Sequence, residues 1–231
     1  MNETALKKLT ELKNLECLIL EEHNEESIIA ISNNCKKLKR LEIHHCIIAS
    51  SIDGEPLPSS SVFDELSKLQ CLEHLNLCYA QNLQDSTITA IANNCKNLKS
   101  LDIRGSICDI TETSLVVLTN LENLVKLDVS CLNIITDSFL IKLKGLKELH
   151  CYSCKNLTNA GIIKFIKNNP DLERLDVRYI NNLTSDLAIA ADQATKNRTN
   201  GIILSIIIDD LSIIKASKSI IKSQWLVVQQ I

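Results

Sequence analysis

One phrase recurs along the chain and limits what it can become: an apolar residue, two variable residues, an apolar residue, one variable residue and a third apolar residue. It reads Leu15-Glu16-Cys17-Leu18-Ile19-Leu20. It returns at Leu38–Ile43, Leu72–Leu77, Leu98–Ile103, Leu124–Val129, Leu146–Cys151 and Leu172–Val177, with a less regular copy at Ile203–Ile208. Successive first positions lie 23, 34, 26, 26, 22, 26 and 31 residues apart. Such a period describes one small supersecondary unit stacked on copies of itself, because a unit of this size cannot bury its apolar side alone. The end of the phrase alternates apolar and variable, which is the period-two pattern of a strand. Leu101 and Ile103 are therefore expected to point inward, and Ser100, Asp102 and Arg104 outward.

The segments between the phrases carry helical spacing. Returns are expected over residues 27–33, 85–93, 112–119, 137–143, 159–167 and 185–194; Ile88 and Ile91, three apart, face the core. Thr111, Thr136, Thr158 and Thr184 precede four of these helices, where a side-chain oxygen caps free backbone donors. The pairs Asn33-Asn34, Asn93-Asn94 and Asn168-Asn169 close three of them, and Asn tolerates a left-handed cap. Hydrophobic residues make up 45% of the chain but aromatics only 3%, so the core must be built from Leu and Ile. The expectation is an α/β fold: a leucine-rich repeat, right-handed solenoid (horseshoe) of seven to eight units, with a parallel concave sheet and short convex helices. Residues 1–208 form it. Residues 209–231 break the pattern and are read as a C-terminal cap, with Ile213-Ile214 and Ile220-Ile221 on one helical face and Trp225 at its end.

Charge and cysteine usage exclude several classes. The formal net charge is −3 and the charges are scattered, so neither nucleic acid nor an anionic membrane is an expected partner. Glu3, Lys7, Glu11 and Lys13 interrupt any N-terminal apolar run, and residues 202–208 fall far short of the ~20 apolar residues of a membrane span. Cytoplasm or nucleus is the expected compartment. The ten cysteines track the repeat: Cys46 and Cys154 share one position, Cys35 and Cys95 another, and Cys151 stands for the last apolar residue of its phrase. They read as compact core residues with reduced thiols. Cys151-Tyr152-Ser153-Cys154 has no second pair to complete a zinc site, so no metal and no cofactor is expected.

Segments such as Asn93-Asn-Cys-Lys-Asn-Leu-Lys-Ser-Leu-Asp-Ile103 and the step Ile135-Thr136-Asp137, with softer versions at Leu157-Thr158-Asn159 and Leu183-Thr184-Ser185, resemble the cysteine-containing subclass of leucine-rich repeats. The resemblance covers roughly residues 6–211 and is similar to the repeat region of F-box/LRR proteins, with antagonist-of-mitotic-exit-like relatives as second choice. It implies a substrate-recognition part of an SCF-type ubiquitin ligase, acting in ubiquitin-dependent protein catabolism. The chain opens in repeat material at Ala5–Leu18, so the Skp adaptor and cullin are implied partners only where an F-box lies upstream. A repeat-only scaffold or regulatory adaptor is the alternative.

The outward strand positions align as three columns. Cys17, Arg40, His74, Ser100, Lys126, Glu148, Arg174 and Ser205 form the first. Ile19, Glu42, Asn76, Asp102, Asp128, His150, Asp176 and Ile207 form the second, and Glu21, His44, Cys78, Arg104, Ser130, Tyr152, Arg178 and Asp209 the third. A mixed face of this kind suits a protein segment with its own alternating charges. Arg104, Lys126, Asp128, His150, Tyr152, Arg174, Asp176 and Arg178 are the candidate partner-binding residues, with Tyr152 and the arginines as anchors. Asp128, His150 and Asp176 form a row that brings a possible base or metal ligand between carboxylates, and His44 shares a column with Cys78. Neither row comes with an oxyanion donor or a water-excluding cleft, so no enzymatic activity is expected. About eight extra residues between Ile47 and Val62, with Pro56 and Pro58, read as a loop decorating the strand-to-helix edge.

Overall fold

The computed structural model describes residues 8, 11–21, 25–44 and 61–230; Cys46 and nearly all of the insertion between Ile47 and Val62 lie outside the described residues. The chain divides into two compact units, residues 1–124 and 125–231.

In the first unit, β1 (Cys17–Leu20), β2 (Arg40–Ile43), β3 (His74–Asn76) and β5 (Ser100–Asp102) run parallel in that order. A separate parallel pair, β4 (Gln81–Gln84) with β6 (Ile107–Asp109), lies outside that sheet. In the second unit β7 (Lys126–Asp128), β8 (Glu148–His150), β9 (Arg174–Asp176) and β10 (Leu204–Ile207) continue the same pattern. Register follows the phrase: Arg40 pairs with His74 and His74 with Ser100 in one unit, Lys126 with Glu148, then Arg174, then Ser205 in the other. The columns read from sequence are thus physical rows. Inward positions are sealed; Leu41, Ile43, Leu101, Ile103, Leu149 and Leu175 have no exposed surface. Truncating one of them to Ala is expected to cost about 2–5 kcal/mol, the usual penalty for a buried Leu or Ile.

Helices return the chain: α1 (Glu25–Asn34), α2 (Asp85–Asn94), α3 (Glu112–Val116), α4 (Asp137–Leu140), α5 (Asn159–Asn168) and α6 (Asp186–Thr195). The fourth-position spacing works as expected, with Ile28 and Ile31, Ile88 and Ile91, and Ile162 and Ile166 buried. Three phenylalanines, Phe63, Phe139 and Phe165, fill the return layer where aliphatic chains alone would leave gaps. Three returns differ from the sequence reading, one being the helix expected over 137–143, which ends at Leu140. Residues 112–119 split into α3 and a 3₁₀ turn over Val117–Asn120, and Val62–Lys68 forms a 3₁₀ return that the sequence pattern did not reveal. The tail contains the expected helix, α7 (Leu211–Ile220), and then β11 (Leu226–Gln229), which pairs in parallel with β10. In the eighth copy Ile206 and Ile208 are buried as expected, but Ile203 is 50% exposed, and Leu204 and Ile207, the latter expected to face outward, are buried as well.

Capping corrects one expectation in its mechanism. No Asn of the three helix-closing pairs has positive φ. Instead the side-chain amides of Asn34 and Asn94 donate to the carbonyls four residues back, of Ala30 and Ala90, at 2.8 Å. Asn169 donates likewise to Phe165 O and, across repeats, to Leu143 O, while accepting from Leu146 N. Thr111 and Thr158 cap their helices as expected, and Thr184 accepts from Asp186 N. Thr136 does not cap; its hydroxyl pairs with that of Ser138.

The first residue of the helix explains further repetition. Asp137 accepts from Thr158 N and Oγ1 of the next unit at 3.0 and 2.6 Å, and Asp85 grips Thr111 the same way at 2.7 and 2.8 Å. Burial pushes the Asp85 carboxyl up, but the bonds from Ser114 and Thr111 outweigh it and hold it below its ordinary range. A Cβ on Gly161 would overlap the Asp137 carboxylate, so the close approach of that clamp requires glycine there. Two more asparagine pairs tie successive repeats: Asn97 and Asn123, each just before its phrase, donate to Gln70 O and Lys96 O, and Asn156 and Asn182, each two residues before a helix-entry threonine, to Asn133 O and Lys155 O.

Five strands, β3, β5, β7, β8 and β9, end in the same turn. Tyr79, Gly105, Cys131, Ser153 and Tyr179 have φ between 58° and 64°. Ala80 N, Leu132 N and Cys154 N bond back to the carbonyl three residues earlier, the geometry of a turn with a left-handed third residue. Only one of the five positions is glycine, so four side chains bear that strain.

Candidate functional site

The second-column Asp and Asn residues first of all secure these turns. Asn76, Asp102, Asp128 and Asp176 each accept, through Oδ1, the backbone N–H two residues on, at 2.9, 3.1, 3.0 and 3.3 Å. That local bond holds the outgoing chain against the sheet face, an Asx turn built into these four repeats. The sequence places these carboxylates on an open face, yet Asp128 and Asp176 are only 5% and 2% exposed.

In the second unit the candidate residues form one connected network. Lys126 Nζ lies 2.7 Å from Glu148 Oε2 on the next strand. Glu148 Oε1 then approaches His150 Nε2 at 3.5 Å and Arg174 Nε at 3.7 Å. His150 Nδ1 lies 3.7 Å from Asp176 Oδ2, and Asp176 receives both prongs of Arg178, Nε at 2.9 Å and Nη2 at 2.6 Å. The Arg178 guanidinium sits over the Tyr152 ring, 5.7 Å from its centre, within cation–π range. Arg104 belongs to the first unit, and its Nε stands 3.4 Å from Asp102 Oδ2. Arg178 and Arg104 thus face inward carboxylates two residues earlier, a pairing that the Asp-x-Arg spacing makes readable because strand residues two apart share a face.

Electrostatics follow from this packing. Burial pushes the Asp176 carboxyl up, but hydrogen bonds from His150 and Arg178 dominate and hold it well below the carboxylate range. Burial alone would lower the His150 pKa; the bond to Asp176 and the nearby charges of Asp128, Glu148 and Asp176 raise it above its ordinary value. His74 shifts the other way, through burial and then the Arg40 charge. Despite these acids around His150, no group of three or more His, Cys, Asp or Glu among the described residues is placed to hold a metal ion.

The paired rows read as catalytic alternatives are also placed. His44 Nδ1 lies 3.4 Å from Cys78 Sγ and His44 Nε2 3.4 Å from Glu42 Oε2, while Glu42 also binds Arg40 at 2.9 Å. Cys151 and Cys154 are buried, and their thiols donate to Asp176 O and Val129 O. Burial drives the Cys151 pKa well up and that of Cys154 to about 12, the opposite of a nucleophilic thiol.

Two features escaped the sequence. Tyr79 and Tyr179, 46% and 57% exposed, stand one position beyond the third column, where the positive φ turns them onto the rim. Glu16–Lys39, Glu73–Lys99 and Lys147–Glu173 form cross-strand pairs at 3.0, 2.6 and 3.2 Å one position before the first column. The alternation of charge sign from repeat to repeat at that position was the available signal.

Parallel strands in matching register, each returned by a short helix, define a leucine-rich repeat protein. No family model matches the chain. F-box/LRR-repeat protein 4 of Bos taurus is 27% identical over 177 residues, which are 76% of this chain and 24% of that protein; the chain therefore spans about a quarter of that relative. Two internalins of Listeria monocytogenes, InlF and InlC2, superpose with TM-scores of 0.56 and 0.52 at 18% identity. The matches cover 96% and 99% of this chain and 63% and 91% of those structures. The chain carries a leucine-rich repeat fold whose repeats resemble those of F-box/LRR proteins.

Proposed function

We propose that the chain is a non-enzymatic protein-recognition module that reads its partner with the exposed strand face of residues 125–231. The observation that supports this most is the pre-formed network from Lys126 through Glu148, His150 and Asp176 to Arg178 and Tyr152. Side chains already fixed by one another lose little freedom when a partner arrives, and arginine with tyrosine supplies the residue types that dominate protein interfaces. The likeness of the repeats to F-box/LRR protein favours a particular setting: substrate selection for an SCF-type ubiquitin ligase, in ubiquitin-dependent protein catabolism. In that setting the Skp adaptor and cullin attach through a segment other than these repeats. No helix among the described residues is long and apolar enough to cross a membrane, and a partner in the cytoplasm or nucleus fits the reduced thiols.

Affinity capture with amine cross-linking tests the proposal. The partner is expected to cross-link at Lys126 on the strand face rather than at Lys164 or Lys167 on α5, and Tyr152→Ala with Arg174→Ala is expected to lower capture at least about tenfold. Cross-links confined to α5, or capture unchanged by both substitutions, would refute it. Adaptor and cullin subunits should co-purify with the full-length protein; a partner captured without them points to the repeat-only scaffold instead.

A further inference from the structure

Arg174 and Arg178 stand four residues apart in one repeat, and the structure uses them differently. Arg178 commits its fork to Asp176, so its carboxylate-binding edge is already occupied. Arg174 keeps 38% of its side chain exposed, and its charge contact is the 3.7 Å approach to Glu148, longer than a hydrogen bond. Glu148 must also serve Lys126, itself 45% exposed, and His150. Of the other acids of this face, Asp128 and Asp176 are buried and Asp209 holds the Tyr179 backbone N–H. Glu148 is thus the carboxylate that Arg174 and Lys126 share, and the planar guanidinium of Arg174 has room for a second, two-pronged carboxylate.

At the far end of the strands the chemistry changes. Tyr179 is 57% exposed, its backbone pinned by Asp209 Oδ1 at 2.8 Å, and Tyr152 lies under Arg178. Arg178, locked by Asp176, holds its guanidinium against the Tyr152 ring, a pair on which an aromatic side chain stacks well. Arg178 follows Arg174 by four residues, just past the end of β9, at most roughly 13 Å along the chain.

Resting on the recognition reading above, we propose that this face takes an extended peptide segment of a partner protein with two features. An acidic side chain is clasped by Arg174 and Lys126. An aromatic side chain, about four residues away in an extended chain, stacks on the Tyr152–Arg178 pair, beside the exposed Tyr179. The acidic side chain restores the local charge balance, and the two sites at fixed separation set the spacing.

Capped pentapeptides titrated into the isotope-labelled full chain test this by nuclear magnetic resonance. Glu-Ser-Gly-Ser-Trp is expected to bind saturably, moving the Arg174 Nε–H and Tyr179 amide signals. Lys in place of Glu, or Ala in place of Trp, should each weaken binding by about tenfold or more, as should Arg174→Ala in the protein. Arg174 is exposed, so its variant should keep the parental melting temperature. Equal binding of the Glu and Lys peptides, no binding of the Glu–Trp peptide, or shifts confined to the helices would overturn the proposal. A partner protein that cross-links at Lys126 yet is captured equally by an Arg174→Ala/Tyr179→Ala variant would overturn the acidic–aromatic motif alone. Cross-links confined to α5 would remove the recognition reading with it.

Discussion

Asp176→Asn isolates the most concentrated electrostatic feature of the second unit. The wild-type carboxylate is 2% exposed and accepts Arg178 Nε, Nη2 and backbone N at 2.9, 2.6 and 3.3 Å. Asparagine preserves the shape and the oxygen that holds the backbone N–H. It deletes the charge and turns an amide N–H toward one arginine prong. A charge-assisted bond is worth about 1.5–3 kcal/mol net, but Arg178 is 29% exposed and regains part of its hydration. The expected loss at pH 7 is therefore about 2–3 kcal/mol, below the 3–5 kcal/mol of a fully buried pair. The pH dependence has a definite sign. Because the folded-state pKa is depressed, the stabilisation is complete above about pH 5 and declines as pH falls through the unfolded value near 3.9 toward the folded one. By pH 3 the gap between wild type and variant should have closed by roughly half. Urea unfolding of both proteins at pH 7, 5 and 3 measures the gap directly. No gap at pH 7, or an equal gap at pH 7 and pH 3, would show that the Asp176–Arg178 pair does not act as argued.

Three further expectations follow from other parts of the molecule. His150 should titrate above the ordinary histidine value and His74 below it; the stabilisation from charged His150 is complete below about pH 6 and lost as pH rises through its folded pKa. Imidazole proton shifts recorded against pH report both, and the reverse order would contradict the packing described. Gly161→Ala should cost about 1–3 kcal/mol because its methyl overlaps Asp137; the extra cost should shrink in an Asp137→Ala background, where the Cβ contact at 2.7 Å is what remains, and an additive double mutant in chemical denaturation would dismiss the clamp. Cys131→Gly relieves a φ of 64° at an exposed turn. The relief of about 1–2 kcal/mol, offset by 0.5–1 kcal/mol of glycine entropy, leaves a small net gain in melting temperature; a clear loss would mean that the thiol contributes more than its strain.

The face itself shows how function and stability share residues in this fold. The second-column carboxylates close strand-end turns, and two of them are buried while doing so. Their substitution is therefore a poor probe of binding: loss of partner capture in an Asp128 or Asp176 variant would report a disturbed turn as readily as a lost contact. Lys126, Arg174 and Tyr179 are the informative positions, because they are exposed and carry little of the fold.

Much of the architecture was written in one dimension. The phrase recurs with its apolar residues at fixed places, so strand register, the inward positions Leu101 and Ile103 and the returns at 85–94 and 159–168 followed from periodicity, since burial repeats with the unit. Local chemistry was legible too: Asp176 and Arg178, two apart on a strand, share a face. Only the tertiary structure could distinguish Arg174 from Arg178, bury Asp128 and Asp176 in a column expected to meet water, and swing Tyr179 onto the rim. It also showed that Asn34 and Asn94 close helices with their side chains rather than their backbones, and that Asp137 needs a glycine at 161. The Asn closures are local, four residues back, but the partner of Arg174 and the glycine at 161 depend on what the adjacent repeat places within a few ångströms, more than twenty residues away in sequence, where a repeat's own pattern carries no information.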